Sequence, residues 1–285
     1  MEAAQESPSV PGAEGAGYFR ETHQPIYSAA LVLPFLLFYE IGLWLIRSDE
    51  INGGDAILLN LGGPILRSLG LGYTSASMVV LAAVFVAAQI HRKGSWRINI
   101  SYLIASLFES LLYAVVLFML LGYLVQYLPR SRAESGSTAM PVCAEERTSR
   151  REIARTYETK AEVPVTAARS SQQYRPGLRD FVLYCGAGVY EELVFRVILL
   201  GLLMLVCTKL FHMEHAYAAV WAVIVGAVIF SAFHHIGGEP FSLGPFIQRI
   251  FAGLYFSAIY FNRSFGIAAA SHALYDILVG LNQYV

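Results

Sequence analysis

Long apolar runs, each close to the length of a membrane-crossing helix, recur along most of the chain. The first run covers 26–46, and two more follow at 75–90 and 102–128. An α-helix needs about 20 predominantly apolar residues to cross a hydrocarbon core of roughly 30 Å. The pattern therefore predicts a first group of transmembrane helices.

Four more apolar stretches lie in the second half, at 180–210, 217–233, 246–261 and 265–281. Short polar or Gly/Pro turns separate them, as is typical of neighbouring helices in a bundle. The stretch 180–210 is long enough for one tilted helix and a second, broken piece. The whole pattern predicts seven or eight helices.

Three segments interrupt the apolar pattern. The first is a polar N-terminal tail, 1–25, in which no cleavable signal peptide is expected. Residues 47–73 place glycines and a proline around a weak apolar pattern, which favours an interfacial or re-entrant segment over a full crossing. Residues 129–179 are rich in Arg, Glu, Ser and Thr without periodicity, so we expect a polar mobile loop. This loop separates the transmembrane helices of 26–128 from those of 180–285.

Composition excludes a soluble protein. Of the 285 residues, 56% are hydrophobic and 14% are charged, whereas a soluble domain has about 25% charged residues. The formal net charge is −1, so there is no basic surplus of the kind that binds nucleic acid. We predict an all-α, polytopic integral membrane protein, and we expect it in the plasma membrane.

The short segment 91–97 has the character of a membrane interface. It reads His-Arg-Lys-Gly-Ser-Trp-Arg, and basic residues with Trp are typical of the ends of transmembrane helices. Because Lys and Arg in short loops set orientation, this segment favours a cytoplasmic N-terminus.

Glutamates and an arginine stand together inside the apolar stretch 180–210. Glu192 and Arg196 are four residues apart and share a helix face, which predicts an ion pair. Glu191 is rotated by about 100° from its neighbour, so it points elsewhere. Gly186 and Gly188 allow another helix to approach closely. One arginine compensates one carboxylate, which leaves Glu191 for chemistry.

Two more polar clusters lie in later helices. His234 follows Phe230 by one helical turn, while His235 points to a different face. His272 and Asp276 are four apart on one face, where the carboxylate can orient the imidazole. Buried ionisable groups are costly in a membrane, so three such clusters indicate one shared polar cavity.

A carboxylate base with two imidazoles in a water-poor site is suited to activating water against a carbonyl, which indicates a hydrolase. The candidate residues are Glu191, His234, His272 and Asp276. An alternative is a zinc site formed by Glu191, His234 and His272, although the helical His-Glu-x-x-His pattern is absent. No Gly-x-Ser-x-Gly motif supports a serine nucleophile.

The three clusters resemble the motifs of the CAAX-protease and bacteriocin-processing (CPBP, Abi) family of intramembrane endopeptidases. These motifs are Glu-Glu-x-x-x-Arg at 191–196, Phe-x-x-x-His at 230–234 and His-x-x-x-Asp/Asn at 272–276. Their order, spacing and helical setting agree with the family over about 180–280. Within this family, the chain looks like the type II CAAX prenyl endopeptidases.

The resemblance implies roles for the clustered residues. Glu191 would act as general base on a water that His234 also holds, and His272 with the residue four later would stabilise the oxyanion. Arg196 would be the partner of Glu192. In prenyl-protein proteases the last motif position is Asn, so Asp276 departs from that pattern and is better suited to orienting His272. The family is usually described as glutamate-dependent, which implies no cofactor, with zinc as the alternative.

The sequence therefore predicts an intramembrane endopeptidase that cleaves a membrane-tethered or lipidated protein in the lipid bilayer. A non-proteolytic transporter or scaffold, with buried Glu and His binding protons or ions, is the alternative. Outside the motifs, Glu40 and Glu109 either line the cavity or satisfy each other. Arg249 either meets the substrate or anchors a helix end.

Overall fold

The computed structural model of the chain describes residues 13–46, 57, 73–127, 176–236 and 241–283. Helices and short connections make up all of these residues, so the prediction of an all-α protein is confirmed. The described residues form eight helices: α1 Ala13–Thr22, α2 Pro25–Ile46, α3 Tyr73–Arg92, α4 Ile100–Val125, α5 Leu178–Leu210, α6 His215–Ile236, α7 Leu243–Asn262 and α8 Phe265–Asn282.

Four of the described helices are long and apolar enough to cross a membrane: α2, α4, α5 and most of α6. A shorter apolar segment, Met78–Arg92, lies within α3. Large apolar side chains point outward along these helices, and Trp44 is 78% exposed. In water this surface would be unfavourable, whereas lipid tails solvate it. The protein is an integral membrane protein.

Helix α5 corrects one expectation. We predicted a tilted helix and a broken second piece over 180–210, but the helix runs without a break from Leu178 to Leu210. Wider π-helical turns at Leu193–Leu199 and Val206–Leu210 interrupt its α-helical geometry. The segment contains no proline, so every backbone N–H stays available to the helix.

Several segments defined from the sequence lie outside the described residues. They are residues 1–12 of the tail 1–25, most of the interfacial or re-entrant segment 47–73 and nearly all of the polar loop 129–179.

The helices α2, α4 and α8 begin at one end of the bundle. The backbone N–H of Gly266 in α8 donates to Ser28 Oγ in α2 at 3.0 Å. The N–H of Asn99, just before α4, donates to the hydroxyl of Tyr27 at 2.8 Å. Since α7 runs into α8 through a short turn, α6 ends and α7 begins at the opposite end of the bundle.

A close crossing of α5 and α8 holds the second half together. A Cβ atom added to Gly188 would overlap the backbone nitrogen of Ala273. The predicted close approach of a helix at this glycine is therefore confirmed. Dispersion contacts favour this packing where lipid offers no hydrophobic drive for helix association.

Replacing Gly188 with Ala is expected to destabilise the protein by about 1–3 kcal/mol, because backbone atoms of α8 cannot move aside locally. Gly201→Ala in the same helix is the matched control, since no atom lies within 4 Å of its added Cβ. We expect the control to be neutral or stabilising by up to about 1 kcal/mol. Thermal melting in detergent measures both effects, and equal melting temperatures would contradict the tight crossing.

The glutamates in the N-terminal helices have separate partners. Glu109 Oε2 accepts from Arg263 Nη2 at 2.7 Å and from the hydroxyl of Tyr18 at 2.6 Å. Glu40 accepts from the hydroxyl of Tyr190 at 3.2 Å. The expectation that the two glutamates satisfy each other is wrong, and neither lines the cavity described below. Burial and the hydrogen bond to Glu109 raise the pKa of Tyr18, which keeps its donor proton in place.

Candidate active site

The three polar clusters lie around one cavity, whose volume is ≈ 80 Å³. This is enough for a few water molecules. Because it includes the last turn of α6 and the first turns of α7, the cavity lies toward the end of the bundle opposite the start of α8. The acidic and basic residues on its wall are Glu191, His234, Arg249, His272 and Asp276.

Glu191 and His234 form the first pair in this cavity. Glu191 Oε2 lies 3.8 Å from His234 Nε2, while Nδ1 of the same ring lies 2.9 Å from the carbonyl oxygen of Phe230. A carbonyl can only accept, so Nδ1 carries a proton and donates it. In the neutral ring Nε2 is then an acceptor. Two acceptors at this separation have space for a hydrogen-bonded water between them.

Glu192 is the buried centre of a second group. Its Oε2 lies 3.1 Å from Arg196 Nε, which confirms the predicted ion pair, and its Oε1 lies 2.8 Å from His272 Nδ1. The Glu192 side chain is 0% exposed. The Glu192 carboxylate thus pairs with Arg196 within α5 and also binds the imidazole of His272 in α8.

His272 has a second carboxylate on its other side. Its Nε2 lies 3.6 Å from Asp276 Oδ2, farther than the 2.8 Å contact with Glu192. Phe256 stacks on the ring, with centroids 4.5 Å apart and planes inclined by 18°. The sequence assigned the orientation of His272 to Asp276, whereas the shorter contact comes from Glu192. No spacing rule could indicate this contact, because the two residues are 80 positions apart.

Aromatic rings isolate the buried arginine. The guanidinium carbon of Arg196 lies 4.8 Å from the ring centroid of Phe230 and 5.8 Å from that of Phe256. Arg196 Nη2 also donates to the carbonyl oxygen of Gly253 at 3.4 Å. Cation–π contacts of this kind stabilise a guanidinium that is out of water. Phe230 therefore contributes its ring as well as the carbonyl that holds His234.

One face of α7 completes the cavity. Pro245, Arg249, Ala252 and Phe256 recur at helical spacing and all line it, together with Gln248. The structure thus places Arg249 on the cavity wall. This position is the one required by the alternative in which Arg249 meets the substrate. Gln248 was not singled out from the sequence, where a glutamine carries no motif. His235 contacts Phe241 and Phe246 instead, and so points to a different face from His234, as predicted.

The zinc alternative named Glu191, His234 and His272 as ligands. Within the described ranges, no group of three His, Cys, Asp or Glu side chains is arranged to hold a metal ion. His272 Nδ1 is bound to Glu192, and its Nε2 faces Asp276. The zinc alternative stays a prediction, since an imidazole that binds a carboxylate through Nδ1 can still coordinate a metal through Nε2.

The helical membrane fold and the Glu/His cavity define the class of this protein: it is a polytopic helical membrane protein with a polar cavity in its second half. Residues 178–278 match the family described as Type II CAAX prenyl endopeptidase Rce1-like. The resemblance stated from the three motifs is confirmed, because this part of the chain is similar to that family. No curated protein and no solved structure matches the chain.

Proposed function

We propose that the protein is an intramembrane endopeptidase that hydrolyses a peptide bond in a membrane-tethered or lipidated protein. The pair of Glu191 and His234 on one cavity wall is the observation that supports this proposal most directly. The family match adds independent support, because it describes endopeptidases that act on prenylated proteins.

The attacking water lies between the two residues of this pair. It donates one hydrogen bond to Glu191 and the other to His234 Nε2, which the Phe230 carbonyl keeps as an acceptor. Glu191 takes a proton as the water oxygen bonds to the scissile carbonyl carbon. The same proton then passes to the amide nitrogen as the C–N bond breaks, so the carboxylate is regenerated. This cycle requires no metal.

His272 acts on the carbonyl oxygen in this proposal. Glu192 holds Nδ1 at 2.8 Å, and Nε2 lies at the cavity beside Asp276. Because Nδ1 donates to Glu192, Nε2 can donate only in the doubly protonated ring, whose charge Glu192 and Asp276 compensate. In this form Nε2 donates to the oxyanion of the tetrahedral intermediate, where a fixed donor in a water-poor site is most effective. Asp276 and Glu192 position the ring, and Arg196 compensates the charge of Glu192.

Replacing His234 with Phe is expected to lower kcat by about 10²-fold or more, because the water loses one of its two acceptors. Cleavage of a library of membrane-tethered peptides by the detergent-solubilised protein measures this effect. His235→Phe is the matched control, since its ring faces Phe241 and Phe246 rather than the cavity. We expect the control to retain most of the activity.

A chelator arm tests the proposed absence of a metal. Wild-type cleavage that persists after chelation supports a water activated by Glu191 and His234 alone. Loss of cleavage on chelation, with recovery on adding zinc, would contradict it. If a well-folded wild type cleaves no peptide in the library, the transporter or scaffold alternative is favoured.

A further inference from the structure

A polar recess lies at the end of the bundle opposite the catalytic cavity. It is formed by α1 and by the connection between α3 and α4, and its volume is ≈ 420 Å³. Its wall includes Arg20 from α1 and Arg97 from the connection, with Asn99 and Tyr102 at the start of α4. The recess belongs to the N-terminal half and lies outside the region 178–278 that matches the protease family.

The recess has a surplus of positive charge. Arg20 and Arg97 are exposed, and neither forms an ion pair with another residue in the described part of the chain. Arg92 and Lys93 lie in the same stretch of chain. The one acidic residue on the wall, Glu21, accepts a hydrogen bond from Gln24 at 3.1 Å. The two guanidinium groups are thus available to a bound anion.

Apolar side chains place this recess at the surface of the membrane. Trp96 is 58% exposed, although it lies between two residues that line the recess, Ser95 and Arg97. Trp96 itself lines an apolar groove of ≈ 180 Å³ between α2 and α3. Since α3 ends and α4 begins here, the groove lies at the level of lipid tails and the recess lies next to it at the level of headgroups.

The connection between α3 and α4 is held in place by hydrogen bonds. Gln89 accepts from the N–H of Ile26 at 3.1 Å and donates to the carbonyl oxygen of Ser95 at 2.9 Å. Arg92 Nη1 donates to the carbonyl oxygen of His23 at 3.1 Å. The arginines of the recess therefore project from an ordered framework, which reduces the entropy cost of binding.

We propose that this recess binds the phosphate group of an anionic phospholipid, with Arg20 and Arg97 as its charged contacts. Guanidinium groups suit phosphate because their N–H donors match its oxygens in pairs. The lipid tails then lie along the exposed apolar flank beside Trp96. This proposal does not depend on the proposed endopeptidase activity. It assigns a lipid partner to the N-terminal part of the chain, which lies outside the residues 178–278 that match the family.

The test compares the wild type with the double variant Arg20→Gln/Arg97→Gln by native mass spectrometry after exchange into phosphatidylcholine vesicles with or without phosphatidylglycerol. We expect the wild type to retain phosphatidylglycerol over phosphatidylcholine, and the double variant to bind it about 30-fold more weakly. Lys209→Gln is the matched control, because α5 ends at the same end of the bundle as the recess. We expect this control to bind like the wild type.

Equal retention of both lipids by the wild type would overturn the proposal, and so would unchanged phosphatidylglycerol binding in the double variant. Inorganic phosphate is added in a separate arm. If it displaces the lipid at equal concentration, the site is one for free phosphate and the lipid assignment fails. A melting temperature of the lipid-free double variant equal to that of the wild type establishes that weaker binding is not a folding defect.

Discussion

Replacing Glu191 with Gln is expected to lower kcat for peptide-bond cleavage by about 10²- to 10⁴-fold, the usual contribution of a general base. Glutamine keeps the shape and the hydrogen-bonding oxygen of the side chain, but it cannot take a proton from the water. Because the variant retains the packing of the site, its KM should change much less than its kcat. Steady-state kinetics on a peptide identified in the library separates the two quantities.

The control for this substitution is Glu214→Gln, which changes an exposed carboxylate between α5 and α6. We expect it to cleave at the wild-type rate. A Glu191→Gln protein that melts at the wild-type temperature and still cleaves at more than about a tenth of the wild-type rate would rule out Glu191 as the base. The same melting measurement shows whether a loss of activity comes from a loss of folding.

Replacing Arg196 with Met is expected to destabilise the protein by about 3–5 kcal/mol, because it leaves the buried carboxylate of Glu192 without its ion-pair partner. A loss of this size lowers Tm by roughly 10 °C in a protein of this length. The matched control is Lys209→Met, an exposed cation near the end of the same helix. Thermal melting in detergent should leave this control unchanged.

The double variant Glu192→Gln/Arg196→Met separates charge from packing. If the uncompensated carboxylate causes the loss, the double variant melts at a higher temperature than Arg196→Met alone, although it lacks the same guanidinium. A double variant that melts lower would instead assign the loss to the contacts of Arg196 with Phe230, Phe256 and Gly253. Cleavage should stay low in both variants, because Glu192 also holds His272.

Apart from α1, which lies in the stretch interpreted as a polar tail, the helices followed from the apolar runs of the sequence. The exception is α5, where a break was expected and a continuous helix with π turns was found. An apolar stretch of sequence indicates hydrophobicity, but it does not indicate whether the backbone is α-helical or π-helical. The extra residue in each wide turn is accommodated by packing against neighbouring helices, which is a tertiary property.

Contacts within one helix were also predictable, since residues four apart share a face. The ion pair of Glu192 with Arg196 is the clearest case. Contacts between helices were predictable only as a shared cavity, on the argument that several buried polar groups need common partners. Which carboxylate faces which imidazole depends on the crossing of α5 with α8, and no local spacing encodes that crossing.

By itself, the sequence determined that the chain is a helical membrane protein, which polar residues lie inside its second half, and which family that half resembles. The length of an apolar stretch and its helical periodicity are local properties, so they can be determined from a single sequence. Only the tertiary structure decided that Glu192 holds His272, that Glu109 pairs with Arg263 rather than with Glu40, and that Arg249 lines the cavity. These contacts join residues far apart in the chain, and the packing of whole helices sets their distances.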